Sequence, residues 1–322
     1  MTIALLLVTM AGMIVAAELF TNSVEWLGDR LRLGDGAVGS VLAAVGTALP
    51  ETLVPIVAIV KGGDGAQTVS VGAILGAPFM LATLALFLSG SAVLLFRGVR
   101  HSNIEADARG IRGDLSWFLL IFAALLGGTA LPSGAPRVAL AVLLLGAYTV
   151  YVRRTVSASA HEPAEMRRLY LGGKSPRLLM IYLQLALALG LLIACAHWFV
   201  AAVEGLAEQI QVPLLVLSLL LIPLATELPE KVNSILWLAR RKDTLALGNI
   251  TGALVFQAAI PGAVGLLFTD WTLSPSSWLT AVFTLTSAGL VWCWLRFLRR
   301  LPALALLPGG AFYLVYVGLV LG

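Results

Sequence analysis

Ten apolar runs separated by short charged loops dictate what this chain can fold into. They lie at about 3–27, 37–60, 67–96, 115–132, 137–152, 178–203, 212–239, 244–268, 277–297 and 301–321. Crossing roughly 30 Å of hydrocarbon takes about 20 helical residues, and most of these runs reach that length. With 59% hydrophobic residues, 12% charged residues and a mean hydropathy of +0.96, the 322-residue chain carries more apolar surface than a soluble core can hide. Lipid is therefore the expected solvent. A β-barrel needs segments of alternating polarity, roughly ten residues each, and the runs do not alternate. The first run lacks a basic start and is too long for the core of a signal peptide, so it reads as a retained span. The expected fold class is an all-α membrane protein with ten transmembrane helices.

The formal net charge of +4 invites the thought of an anionic partner, but the positions of the charges answer it. With the N-terminus outside, the inner loops collect Arg30 and Arg32, Arg97 to Arg112, Arg153 to Arg177, Arg240 to Lys242, and Arg296 to Arg300. Those are 18 of the 21 Lys and Arg residues. Outer loops keep only Lys61 and Arg137, and Lys231 lies within a span. This bias is the positive-inside pattern, which puts both termini of a multi-pass cell-membrane protein outside. The basic balance reports topology and points to the bilayer, with no nucleic acid as partner. Cys195 and Cys293 both fall in spans, which speaks against a disulfide framework. His101, His161 and His197 are too scattered for a zinc site.

Residues 1–150 laid over 178–322 at an offset of 179 match in two places. Ala17-Glu18-Leu19-Phe20-Thr21-Asn22-Ser23-Val24-Glu25 falls on Ala196 to Glu204 with Ala, Phe, Val and Glu in common. Thr47-Ala48-Leu49-Pro50-Glu51 falls on Thr226-Glu227-Leu228-Pro229-Glu230. A three-residue deletion then brings Gly72 and Gly76 over Gly248 and Gly252. Each half holds five spans, an odd number, so the second half enters the membrane from the opposite side. The chain divides into a first inverted repeat over 1–152, a basic cytoplasmic linker over 153–177 and a second inverted repeat over 178–322. Repeats related in this way place their substrate near the bilayer midplane.

Pro50 and Pro229 stand in mid-span, where a proline removes a helical hydrogen bond and crowds the preceding turn, so a break or kink is expected there. Carbonyls freed inside a protein-lined cavity can coordinate a cation, whereas facing lipid they stay unsatisfied. Glu51 and Glu230 follow the two prolines, and Thr47 and Thr226 sit four residues before them on the same helical face. Carboxylates, carbonyls and hydroxyls are the ligands of a hard cation such as Ca²⁺. A charge at membrane depth costs at least about 2.5–3.5 kcal/mol, so two symmetric glutamates argue for function over filling. The Gly72/Gly76 and Gly248/Gly252 pairs fit small-xxx-small helix packing, which is expected to press the third and eighth spans against the helices that carry the glutamates.

These residues resemble the α-repeats of the calcium:cation antiporter superfamily, the sodium/calcium exchangers and their bacterial relatives. The family's Gly-Thr-Ser-x-Pro-Glu stands here as Gly46 to Glu51 and as Ala225 to Glu230, and its Gly-Asn-x-x-Gly-Ser-Asn-x-x-Asn as Gly248 to Gln257. The resemblance implies ten helices as 5 + 5, with the first and sixth sliding over a fixed core. It implies that Glu51 and Glu230 coordinate Ca²⁺, that Thr47 and Thr226 contribute to cation sites, and that no cofactor is needed beyond the transported ions, Ca²⁺ and Na⁺ or H⁺. Glu25 and Glu204 become candidates for gating, although solvation at the interface suits them as well.

The chain also departs from the family pattern. Ala48 and Glu227 replace the serine, Ala73, Ala77 and Leu81 replace the polar stripe of the third span, and Gln257 stands where Asn or Asp is usual. Glu227, three residues from Glu230, makes a lopsided site of three carboxylates conceivable. Fewer neutral ligands and an extra acid fit proton coupling or a different divalent ion. The metal-site candidates are therefore Glu51, Glu230, Thr47, Thr226, Glu227 and Gln257.

The expected function is a secondary active antiporter exchanging Ca²⁺, or another divalent cation, for Na⁺ or H⁺ by alternating access. Alternatives are a proton-coupled carrier of a different cation, and a passive channel, against which the apolar stripe speaks. A non-transporting scaffold would tolerate replacement of both Glu51 and Glu230. An intramembrane enzyme would need a nucleophile–base pair, a HExxH motif or an aspartate-rich site, and the spans offer none.

Overall fold

The computed structural model describes residues 2–30, 49–63, 65–96, 103–158, 168–173, 175–298 and 301–321. For residues 29, 103, 156–158, 228–230, 232, 233 and 321 it describes the backbone alone. These residues form α1 (Thr2–Arg30), α2 (Leu49–Lys61), α3 (Ala66–Leu95), α4 (Ala108–Gly127), α5 (Ala135–Ala158), α6 (Leu178–Ile210), α7 (Leu214–Ala239), α8 (Asp243–Phe268), α9 (Pro275–Leu298) and α10 (Pro308–Leu321). Two short strands, β1 (Asn103–Ile104) and β2 (Leu301–Pro302), pair antiparallel and pin the approach to α4 against the approach to α10.

Among the described residues eight segments are long and apolar enough to cross a membrane: α1, α3, α4, α5, α6, α8, α9, and α10 together with the turn before it from Ala303. On α7 the described apolar stretch is Leu214–Glu227. The start of the 37–60 run, with Thr47 and Ala48, lies outside the described residues.

Burial sorts the helices. The most apolar windows of α3 and α8 are 83% and 72% buried, against 22% for α1, α5 and α6. α3 and α8 therefore form the centre, and α1, α5 and α6 turn residues such as Val8, Leu143 and Trp198 outward. An outer surface of this kind suits hydrocarbon and not water. α8 packs on α2, α4, α5 and α7, while α3 packs on α2, α7, α9 and α10.

α1 and α6 run antiparallel along each other. Gln209 Nε2 donates to Thr2 Oγ1 at 2.6 Å at one end. Gln184 Nε2 donates to Asn22 Oδ1 at 3.0 Å and to the Leu19 carbonyl at 2.9 Å at the other. The Leu171 N–H closes this buried network on Gln184 Oε1 at 2.9 Å, tying the segment before α6 to both helices.

Two features go beyond the sequence expectations. α3 contains a π-helical turn at Leu81–Ala85, the kind of local widening that often marks a functional position. Ser287 on α9 donates its hydroxyl to the Ala82 carbonyl there at 2.5 Å, and Gly309 at the start of α10 packs on the Thr83 backbone. Secondly, α7 continues as one helix through Pro223 and Pro229, where a break or kink is expected at Pro229. A proline removes one donor and crowds the preceding turn, yet the helix runs on to Ala239.

The two glycine pairs behave differently. A Cβ on Gly72 would stand 2.5 Å from the Ser218 Cβ, and one on Gly76 would run into the Leu219 carbonyl and Pro223, so α3 and α7 touch nearly backbone to backbone. On α8, a Cβ at Gly248 would meet none of the described residues within 4 Å, and among them one at Gly252 would meet only the Tyr151 hydroxyl, at 3.5 Å. The close approach expected of both pairs is thus made by the first, and its partner is the glutamate-bearing helix of the other half.

Gly76→Ala should therefore lower the stability of the detergent-solubilised protein by about 1–3 kcal/mol, the usual range for overpacking. Gly248→Ala should leave it unchanged or raise it by up to about 1 kcal/mol, the helix-propensity gain. Thermal unfolding of the two variants side by side checks the contrast.

Candidate cation site

The described members of the set singled out from the sequence, Glu51, Thr226, Glu227 and Gln257, lie on α2, α7 and α8, helices that pack against one another. Glu51 lies in the first turn of α2 and is buried, with 3% of its surface exposed. Thr226 is buried on α7 and its hydroxyl donates to the Ile222 carbonyl one turn back, at 3.1 Å. That bond satisfies the hydroxyl locally while leaving oxygen lone pairs for a further partner. Glu230 lies on α7 as backbone only, and Thr47 is outside the described residues.

Glu227 is the most deeply placed acid of the group, with no exposed surface. Its Oε2 accepts from Lys231 Nζ at 2.8 Å, and its Oε1 accepts from Gln257 Nε2 on α8 at 2.9 Å. Lys231 is itself buried, with 5% of its side chain exposed. The spacing i, i+4 puts amine and carboxylate on one face of α7, and Gln257 reaches them from the facing helix.

The extra acid, open in the sequence to a role as a third carboxylate for a metal, therefore stands beside an amine supplied by its own helix. Among the described residues no three His, Cys, Asp or Glu side chains come together in a way that could hold a metal ion. The stripe on α3 is dry: Ala73, Ala77 and Leu81 are all buried.

Two other polar contacts join helices away from this group. Asp114 on α4 accepts from Thr251 on α8 at 2.7 Å and from Tyr151 on α5 at 3.1 Å, which joins three helices through one carboxylate. At the end of the bundle where α2 and α6 finish, Lys61 pairs with Glu204. The pair lines a cleft of about 730 Å³ together with Gly65, Glu208 and Leu214. Sequence reasoning placed Lys231 in a span without assigning it a partner and did not single out Asp114. The i, i+4 spacing from Glu227 was the available signal for the first, and a lone acid beside an apolar run for the second.

Removing one member of a matched buried pair leaves the other charge unpaired and typically costs about 3–5 kcal/mol, whereas replacing both by uncharged residues is often near neutral. Glu227→Gln should accordingly be strongly destabilised, and Glu227→Gln with Lys231→Met should recover most of the loss. A thermal melt of the two proteins in the same detergent reads the difference.

A family model for the sodium/calcium exchanger protein matches residues 1–156 and 180–322. The putative antiporter CaxA of Alkalimonas amylolytica is 25% identical over 265 residues, 81% of this chain and 79% of that protein. The inner membrane protein YrbG of Escherichia coli is 23% identical over 303 residues, 91% of this chain and 89% of that protein. Among solved structures, the H⁺/Ca²⁺ exchanger CAX superposes with a TM-score of 0.77 at 17% identity, covering 100% of this chain and 82% of that one. The sodium-calcium exchanger NCX_Mj superposes at 0.63 with 20% identity, covering 98% and 97%. The two matched segments take in both halves of the chain and omit only the linker between them, and on that ground the protein belongs to the sodium/calcium exchanger family of membrane antiporters, which are transporters and not enzymes.

Proposed function

We propose that this protein exchanges Ca²⁺, or another divalent cation, for Na⁺ or H⁺ by alternating access. The carrying observation is a carboxylate, Glu51, buried in the first turn of α2, a helix that packs on α7 and α8, in a member of an exchanger family. An acid held at that depth is costly, and a divalent cation is the occupant that best repays it. In this reading Glu51 and Glu230 coordinate the ion, and Thr47, Thr226 and Gln257 supply neutral oxygens.

The ten helices act as two inverted five-helix repeats, over 1–152 and 178–322, in a cell membrane with both termini outside. The packing pairs support that arrangement. Exchanging α1–α5 for α6–α10 turns the contacts of α8 with α2, α4 and α5 into those of α3 with α7, α9 and α10. α2 and α7 then complete the spans that length and composition alone leave out. The sorting of Lys and Arg supports the sidedness.

For the coupling ion the relatives point both ways, since one similar structure is named for H⁺/Ca²⁺ exchange and another for sodium-calcium exchange. Glu204, tied to Lys61, acts as an outer latch between α6 and α2.

The test is uptake of radioactive Ca²⁺ into proteoliposomes, first under an imposed Na⁺ gradient and then under a pH gradient alone. The driving gradient identifies the coupling ion, and Glu51→Gln should bring uptake to the protein-free background. No uptake under either gradient removes Ca²⁺ as substrate. Lys61→Ala should change stability by no more than about 1 kcal/mol, as expected of a partly exposed pair, while altering the uptake rate at saturating Ca²⁺.

A further inference from the structure

The exchange described above leaves Lys231 without a task. A carboxylate reserved for mobile cations is not already neutralised by a fixed charge, whereas Glu227 is. One oxygen takes the Lys231 ammonium at 2.8 Å, the other takes the Gln257 amide at 2.9 Å, and no surface of the residue is exposed. An ammonium carries one positive charge and holds it within contact distance of the carboxylate. In charge and position it matches a monovalent cation bound to the same oxygen.

The two partners lie four residues apart on α7, so a shift of α7 against other helices carries both and leaves the pair intact. A second observation marks the same place as a coordination position: Gln257 Oε1 is buried with no hydrogen-bond partner among the described residues. A buried acceptor left in that state is costly, and it stands on the side chain whose amide already faces Glu227.

We propose that Lys231 is a built-in cation, its ammonium permanently holding the position beside Glu227 and Gln257 that a monovalent metal ion such as Na⁺ would otherwise fill. It is a specificity-determining residue for the antiport proposed above, on which this inference rests. It subtracts one exchangeable cation from the second half of the chain and so sets the charge moved per cycle. Removing the amine while keeping the acid should open a Na⁺ position, and removing both should close it again.

The experiment uses the full chain purified in detergent, as wild type, as Lys231→Met and as Glu227→Gln with Lys231→Met. Thermal unfolding is followed in choline chloride and in NaCl of equal ionic strength. The expected result is a saturable upward shift of the Lys231→Met midpoint in NaCl that exceeds the wild-type shift, with the double variant folding in both salts and returning to the wild-type shift. A Lys231→Met protein that folds in neither salt, or that shifts no more than wild type, overturns the proposal. So does a double variant that keeps the enlarged shift or does not fold. None of these readouts requires transport, so failure to carry Ca²⁺ defeats the antiport reading alone and leaves the Na⁺ shift to decide the role of Lys231.

Discussion

A charge enclosed by this bundle has to find its match within hydrogen-bonding distance, because neither lipid nor tightly packed helices offer water to screen it. The described core is organised around that demand. Glu227 is held between an amine and an amide, Asp114 between two hydroxyls, and Arg137 reaches the carbonyls of Leu131 and Asp270. Buried hydroxyls such as Ser70, Thr83, Ser89 and Thr284 turn back on the carbonyl one turn earlier in their own helix. The near-contact of α3 and α7 at Gly72 and Gly76 makes the demand strict, since it leaves no room for water between the helix that supplies the pair and the helix at the centre. Packing and charge pairing are thus one design. The tighter α3 seats itself, the more the polar groups of α7 must satisfy one another.

Much of this was legible in the letters. Apolar runs identified the helices because crossing hydrocarbon imposes a length and a composition that few other folds need. The Pro-Glu steps led to α2 and α7, and Glu51 is buried in the first turn of α2. What escaped was whatever depends on a neighbour supplied by another helix. Gly72 and Gly248 look alike in sequence, yet one meets Ser218 and the other meets none of the described residues, because helix spacing is set by both surfaces at a crossing. The π turn at Leu81–Ala85 has no marker in its own residues; a hydroxyl from α9 and a glycine from α10 meet it. Lys231 could be placed in a span and its spacing from Glu227 counted, but only the fold shows Gln257 occupying the second oxygen. Counting carboxylates does not reveal that one of them, Glu227, is already paired with an amine.

The pairing of α1 with α6 carries a mechanical consequence. One helix comes from each half of the chain, yet they are joined at both ends by hydrogen bonds, and between these Gly12 packs directly onto Cys195. The segment running into α6 is stitched to them as well. A two-part carriage built like this has a single set of rails. The two halves differ in sequence at Ala48 and Glu227, but a displacement of α1 would have to carry along its hydrogen bonds to α6. Chemistry in this protein can be lopsided while motion has to be shared.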